Sequence, residues 1–334
     1  MRAAVLLGPR SLAVQTRPSL VPGPGEVVVR VRAAGLCGTD YRIWTGDRPV
    51  GYPLVMGHEF IGEVVAAGEG VDGVAPGQRV AVEPNYSCGG CALCREGNRN
   101  LCLGRTAVGI DVDGGFAEEA RVPARCCWPA PAAPDDQLLL TEPLAVVVRA
   151  VRRGAPARGE TAAVVGVGTL GLLAVQVLKA RGVRVLGVGR SRRRLDLARA
   201  LGADLVAAAG GEAGEAARSL SGREGVALAI ETAGTAEAVA HAVDLVRPGG
   251  CVVLTGLPHE PTPLGFFRVV RRELRLLGSM IYQDEFPEAM ELLATGAVRA
   301  EPLLTHRFPL DRIPDAFQAH RAPDAVKVAL SLDG

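Results

Sequence analysis

Apolar positions in the first eighty residues fall in short β-branched runs, Glu26 to Val31, Glu63 to Ala67 and Gln78 to Val82, separated by glycine and proline. Runs of that length bounded by turn residues predict strands, with turns at Pro22-Gly23-Pro24-Gly25 and Pro76-Gly77. After Glu142 the texture changes. Thr161 to Val165 is a continuous apolar run of buried-strand length, followed by an apolar helical stretch to about Arg181. Strand-like runs recur at Val183 to Val188, Val226 to Ile230, Cys251 to Thr255 and Leu274 to Leu277, with helical stretches between them. That alternation predicts an α/β region built on a parallel, doubly wound sheet. From Tyr282 the chain changes again: a helix over Pro287 to Leu293, then strand-like and loop segments ending in Ala325 to Leu330. No internal repeat or low-complexity linker interrupts this order.

Composition sharpens the picture. A chain of 334 residues, 48% of them hydrophobic, has room for two domains with proper cores. Residues 161 to 178 raise the question of a membrane helix, but Thr161, Thr169, Gln176 and three glycines break the run, and a buried strand followed by a buried helix explains it better. The apolar run at Met1 to Leu7 is too short for a signal peptide, so the expected compartment is the cytoplasm. A net charge of +1 provides no general field for nucleic acid or an anionic membrane. In a reducing compartment the eight cysteines point to metal ligation rather than disulfides. Cys126, Cys127 and Cys251 have no such spacing, and Cys126 and Cys127 read as packing residues. The basic residues are almost all arginine, with Lys179 and Lys327 the only lysines.

The chemistry concentrates first between residues 35 and 59. Gly35-Leu36-Cys37-Gly38-Thr39-Asp40 opens this segment and Gly57-His58-Glu59 closes it. Thiolate and imidazole suit zinc, which also tolerates a carboxylate, whereas magnesium and calcium want oxygen throughout. Glu142-Pro143 sits where a helix is predicted to begin, and Pro at the first helical position would hold the Glu142 carboxylate at a positive helix end. Next come Cys88, Cys91, Cys94 and Cys102, spaced C-x2-C-x2-C-x7-C in a Gly- and Asn-rich segment. Four thiolates so placed predict a closed tetrahedral site, structural rather than catalytic.

Thr161 to Val165 leads directly into Gly166-Val167-Gly168-Thr169-Leu170-Gly171 and a helix. In that context the glycines form a dinucleotide fingerprint. The position that carries an acid when a ribose 2′-hydroxyl is read, about 20 residues on, is Gly189, followed by Arg190, Ser191, Arg192, Arg193 and Arg194. Cations clustered at a helix start oppose its dipole and one another unless an anion sits there. A 2′-phosphate supplies that anion, so NADP is expected in preference to NAD.

Taken together, Gly-Leu-Cys-Gly-Thr-Asp, Gly-His-Glu, the four-cysteine lobe, Thr-Glu-Pro-Leu and the glycine-rich turn resemble, in order and over essentially the whole chain, the zinc-dependent medium-chain alcohol and polyol dehydrogenases. Glu142 in place of cysteine resembles the sorbitol, threonine and butanediol dehydrogenase branch. The resemblance implies a GroES-like catalytic domain over 1–144 and 281–334, with its zinc lobe at 84–105, and a Rossmann domain over 145–280. It also implies a catalytic zinc held by Cys37, His58 and one or both of Glu59 and Glu142, and a structural zinc in the lobe. Thr39 matches the hydroxyl that touches the substrate oxygen, and Asp40 the carboxylate that orients the imidazole. Where many relatives have a proton-relaying histidine this chain has Arg42, which cannot relay a proton by titrating. Protons are therefore expected to leave by Thr39, cofactor ribose and water, with Arg42 binding cofactor or a polar substrate. Small alcohols, polyols or sugars are the implied substrates, and a homodimer or homotetramer the implied assembly; Trp44, Phe116 and Tyr282 are candidate lining for an apolar pocket. Two competing readings are a zinc-free quinone or enoyl reductase of the same superfamily and a non-enzymatic binding protein. The set Cys37, His58 and Glu142 argues against both.

Overall fold

The computed structural model describes residues 1–258 and 260–332; His259, which the sequence places at the surface or in a local hydrogen bond along with His241, His306 and His320, falls outside the described residues. Two compact units form, one from Met1–Glu142 with Ala300–Gly334 and one from Pro143–Arg299.

The first unit is β-rich. Its largest sheet runs, edge to edge, Cys127–Pro129, Arg79–Val82, Glu59–Ala67, Glu26–Leu36, Lys327–Ser331 and Leu304–Pro309, with Glu119–Pro123 also pairing with Glu26–Leu36. Two strands are longer than their sequence runs suggested. Glu26–Leu36 continues past Val31 because Ala33, Ala34 and Leu36 go on burying apolar surface, and Glu59–Ala67 begins four residues early at a fully buried acid. A hairpin of Arg2–Gly8 and Ser11–Thr16 adds a second small sheet with Leu54–Val55. The lobe of four cysteines is closed at its base by the antiparallel pair Asn85–Tyr86 and Thr106–Ala107. Val5, Val29, Val64, Phe116, Phe317 and Val328 belong to one core.

The second unit is a single parallel sheet in the spatial order Leu205–Ala208, Arg184–Gly189, Thr161–Val165, Val226–Glu231, Val246–Leu254, Arg275–Gly278. Order 3-2-1-4-5-6 with helical crossovers is the Rossmann arrangement, and its central strand Thr161–Val165 is buried at every residue. Leu205–Ala208 has no counterpart among the predicted strands, because four residues, two of them alanine, carry no strand signal.

The chain returns to the first unit at Ala300 rather than at 281. The reason is the helix Phe286–Ala294, which buries Phe286, Ala289, Met290 and Leu293. Its face carries Glu285 and Glu288 onto Arg149, Arg152 and Arg181 of the second unit, with Arg152 Nε to Glu288 at 3.0 Å and Arg181 to Glu288 at 2.7 Å. Among the described residues no helix is long and apolar enough to cross a membrane.

Candidate metal centre and dinucleotide site

Strand register assembles the metal centre in the first unit. Gly35 pairs with Glu59 across one antiparallel ladder, and Leu36 pairs with Val328 across another. Cys37 and His58 therefore sit at adjoining strand ends, with Lys327 entering from the third strand. Cys37 is also the N-cap of the helix Gly38–Thr45. Asp40, three residues into that helix and 0% exposed, accepts the Cys37 N–H on Oδ2 at 2.9 Å, and its Oδ1 lies 3.2 Å from His58 Nδ1. One carboxylate thus fixes the helix start and orients the ring, leaving Nε2 for a metal. Burial by itself would lower the His58 pKa, but the charge and hydrogen bond of Asp40, with help from Cys37, raise it well above the ordinary value. A metal cation binding there must displace that proton.

Ligand atoms of Cys37, His58 and Glu59 all lie within 4.8 Å of one another. Their chemistry fits zinc. Glu142 lies outside this cluster, 8% exposed in the first turn of the helix Thr141–Gly154. That helix begins at Thr141 rather than at Pro143, so the carboxylate is helical and still near the positive end. Thr39 is half-buried in the first turn after Cys37 and Arg42 half-buried one turn on.

Lys327 is the residue that sequence reasoning missed. Its ammonium bonds the Glu59 carboxylate, and the two side chains are 3% and 1% exposed. Burial would lower the Lys327 pKa, yet Glu59, Cys37 and Asp40 together raise it. The pair crosses directly over Gly35, where a Cβ would lie 2.6 Å from Glu59 Oε2 and 2.9 Å from Lys327 Cε. The available signal was that Lys327 is one of two lysines in an arginine-rich chain.

In the lobe, all four cysteines are unbridged. Their sulfurs are separated by 3.4 Å (Cys102–Cys88), 3.5 Å (Cys91–Cys94), 3.9 Å (Cys91–Cys102) and 4.0 Å (Cys88–Cys94). A tetrahedron of Zn–S bonds has edges of about 3.8 Å, so the set fits zinc without rearrangement. Backbone N–H groups of Cys94 and Leu103 hold the Cys91 thiol down at about 6, toward the thiolate a metal needs.

The glycine-rich turn of the second unit divides its labour as the fingerprint requires. Gly166 has φ +100°, a Cβ on Gly168 would meet nothing within 4 Å, and a Cβ on Gly171 would lie 1.8 Å from the Gly166 carbonyl oxygen. These are a tight turn, an open approach for a pyrophosphate, and close helix–strand packing. Gly168 is the N-cap of the helix Thr169–Ala180, with Leu170 in its first turn, so N–H groups at a positive helix end face that opening. At the end of the next strand a Cβ on Gly189 would lie 2.4 Å from Val167 Cγ2. Val167 thereby crowds any side chain placed at 189. Beyond it, Arg190 is exposed, Ser191 occupies the N-cap position of the helix Arg192–Ala200 without a side-chain capping bond, Arg192 pairs with Asp196 at 3.1 Å, and half-buried Arg194 has its pKa lowered by burial.

Other candidates are packing or surface residues. Phe116 (0% exposed) fills the space over Gly57, Tyr282 (2%) meets Phe286 edge-on, and Trp44 packs against Phe317. Burial pushes the Cys127 thiol up to about 12 and Cys126 higher still. His241 bonds the Gly210 backbone, His306 bonds Thr305, and His320 stacks on Tyr41.

Comparison with known proteins bears on the same features. Residues 23–132 match the alcohol dehydrogenase GroES-like domain, and residues 169–295 match the zinc-binding dehydrogenase family. Sorbitol dehydrogenase of Halalkalibacterium halodurans is 33% identical over 97% of this chain and 96% of its own. A protein of Sinorhizobium meliloti 1021, named as a zinc-binding dehydrogenase and solved with NADP, is 35% identical with a TM-score of 0.94, covering 99% of this chain and 98% of its own. RspB of Escherichia coli CFT073, named as a short chain alcohol dehydrogenase and solved with NADH, is 34% identical with a TM-score of 0.93, covering 99% of both chains.

Proposed function

This chain belongs to the zinc-dependent medium-chain alcohol and polyol dehydrogenases, transferring a hydride between an alcohol or polyol and NAD(P), and on that premise we propose where its parts act. Cys37 and His58, with Glu59 or Glu142, hold a catalytic zinc. Cys88, Cys91, Cys94 and Cys102 hold a structural one. The observation that carries this reading is the convergence of Cys37, His58 and Glu59 at two adjoining strand ends, with Asp40 already orienting the imidazole. Its compartment in this reading is the cytoplasm.

When bound, the zinc would polarise the substrate oxygen and the dinucleotide would accept the hydride. The chain's own residues do the rest. Asp40 holds His58 in the tautomer that leaves Nε2 for the metal. Lys327 balances the Glu59 carboxylate inside a buried site that would otherwise carry several negative groups. Thr39 would hold the hydroxyl proton of the substrate at its Oγ1, with bound cofactor and water as the onward route, since the Arg42 guanidinium cannot take part by titrating. Arg42 binds cofactor or a polar substrate.

NADP is the preferred cofactor in this reading, supported by the crowding at Gly189 and by Arg190 and Arg194 beyond it. The exposed side chains of Phe266 (67%), Phe267 (77%) and Val270 (75%), just before the edge strand Arg275–Gly278, support a homodimer or a tetramer built from dimers. The test is a panel of diols, sugars and secondary alcohols assayed with both nicotinamide cofactors on zinc-loaded protein. Alcohol-dependent reduction of NADP is expected; a higher kcat/KM with NAD overturns the cofactor assignment, and no turnover of any alcohol overturns the substrate class.

A further inference from the structure

Behind the glycine-rich turn lies a second loop, Glu231-Thr232-Ala233-Gly234, at the carboxyl end of the strand Val226–Glu231. Glu231 is 0% exposed, a costly place for a carboxyl group. Its Oε1 accepts the N–H of Ala233 at 2.6 Å and of Gly234 at 2.7 Å, which folds the chain into a tight loop as soon as the strand ends. Thr232 is then turned onto the neighbouring strand. Its N–H donates to the Val165 carbonyl at 2.9 Å and its hydroxyl to the Gly166 carbonyl at 2.7 Å.

The packing leaves no slack. A Cβ on Gly166 would lie 2.9 Å from the nitrogen and Cβ of Ala233, and one on Gly171 would lie 3.1 Å from Thr232 Oγ1. On the far side, a Cβ on Gly256 would lie 2.3 Å from Gly234 N and 2.6 Å from Glu231 Oε2. The N–H groups of Thr255 and Gly256 both donate to the Glu231 carbonyl, at 2.9 and 3.2 Å. Glu231 and Thr232 together therefore tie three strand ends around the turn.

The consequence is directional. In a trans peptide the carbonyl and the following N–H point opposite ways. Holding the Gly166 oxygen back against Thr232 aims the Val167 N–H away from that hydroxyl. Glycine at 166 would otherwise let this peptide flip, and a carbonyl turned the other way presents oxygen, not N–H, to an anionic ligand.

We propose that Glu231 and Thr232 are positioning residues for the dinucleotide: the buried carboxyl group shapes the loop, and the Thr232 hydroxyl locks the Gly166 peptide in the orientation that receives the pyrophosphate. This rests on the reading that the dinucleotide is seated on the turn from Gly166 to Gly171.

The test is dinucleotide affinity, read by NADPH and NADH fluorescence titration of zinc-loaded protein, for wild type, Thr232→Val, Thr232→Ser, Glu231→Gln and Glu231→Ala. Thr232→Val keeps the side-chain shape and removes the donor, so it is expected to raise Kd about fivefold or more, the scale of one lost hydrogen bond. The same variant should raise the cofactor KM more than it lowers kcat, and leave unchanged the inhibition constant of adenosine 2′-monophosphate, which carries no pyrophosphate. Thr232→Ser and Glu231→Gln retain the donor and the acceptor respectively and should stay within about twofold of wild type, whereas Glu231→Ala weakens binding at least as much as Thr232→Val. Thr232→Val binding within about twofold of wild type overturns the inference, as does equal weakening of dinucleotide and adenosine 2′-monophosphate. A wild-type enzyme that binds neither dinucleotide sinks the functional reading instead.

Discussion

Replacing Lys327 by methionine removes the ammonium that faces Glu59 and leaves a carboxylate 1% exposed without its cation. Breaking a buried pair by deleting one partner costs about 3–5 kcal/mol, because the remaining charge stays desolvated. In a domain of 150–250 residues each kcal/mol moves the midpoint by about 2–4 °C. The first unit of the chelator-treated protein should therefore unfold roughly 6–20 °C lower. Loading with zinc restores a positive charge beside Glu59, so the loss should shrink in metal-loaded protein. The double variant Lys327→Met/Glu59→Gln removes the stranded charge as well and should recover part of the lost stability. Calorimetric melts of the three proteins, with and without zinc, carry the test. A single variant melting within about 2 °C of wild type in the metal-free state, or a double variant no more stable than the single, would refute the reasoning.

Gly189→Asp is expected to lower the kcat/KM for NADP at least about tenfold without creating good NAD activity, since its Cβ meets Val167 Cγ2; adding Val167→Ala should be needed before NAD improves. Cys91→Ser should abolish the lobe metal, read as one zinc ion fewer per chain by elemental analysis and as faster proteolysis between residues 87 and 105. Glu288 gives a pH signature. Burial raises its pKa, but the hydrogen bonds and charges of Arg181 and Arg152 outweigh that and lower it. Its contribution is therefore fully present above the unfolded value near about pH 4.3 and is lost as pH falls through the lower folded value. Glu288→Gln should cost no more than about 1 kcal/mol at pH 7, given the partial exposure of the pair, and the gap from wild type should close below about pH 4 in thermal melts.

Much of the site could be read from the chain because its chemistry demands particular residue types at short spacings. Cys88 to Cys102 span one loop, Cys37 and Asp40 lie within one helical turn, and the three glycines of the turn carry separate steric duties. Features set by register were hidden. Lys327 reaches Glu59 only because Val328 pairs with Leu36 and Gly35 with Glu59, a pairing that no local pattern encodes. Val167 crowds the space beside Gly189, where an added Cβ would lie 2.4 Å from its Cγ2, and that neighbourhood of two strand ends is likewise invisible in the sequence. The unit boundary at Ala300 was missed because ion pairs from Glu285 and Glu288, indistinguishable in sequence from solvated charges, bind the helix Phe286–Ala294 to the second unit. Ion pairs add to the apolar face of Phe286, Ala289, Met290 and Leu293 that this helix buries, and together they keep it with the second unit.

The central claim is that Cys37 and His58 hold the ion on which alcohol oxidation depends, separately from the ion in the cysteine lobe. It is tested most directly by measuring the zinc content of Cys37→Ser protein against its rate of alcohol-dependent NADP reduction. The account predicts two zinc ions per chain in the wild type, one for each ligand cluster, and in the variant a single ion, an intact fold and a rate lower by about a hundredfold or more. A variant that keeps both ions, or one that loses an ion and still oxidises alcohols at the wild-type rate, would contradict it.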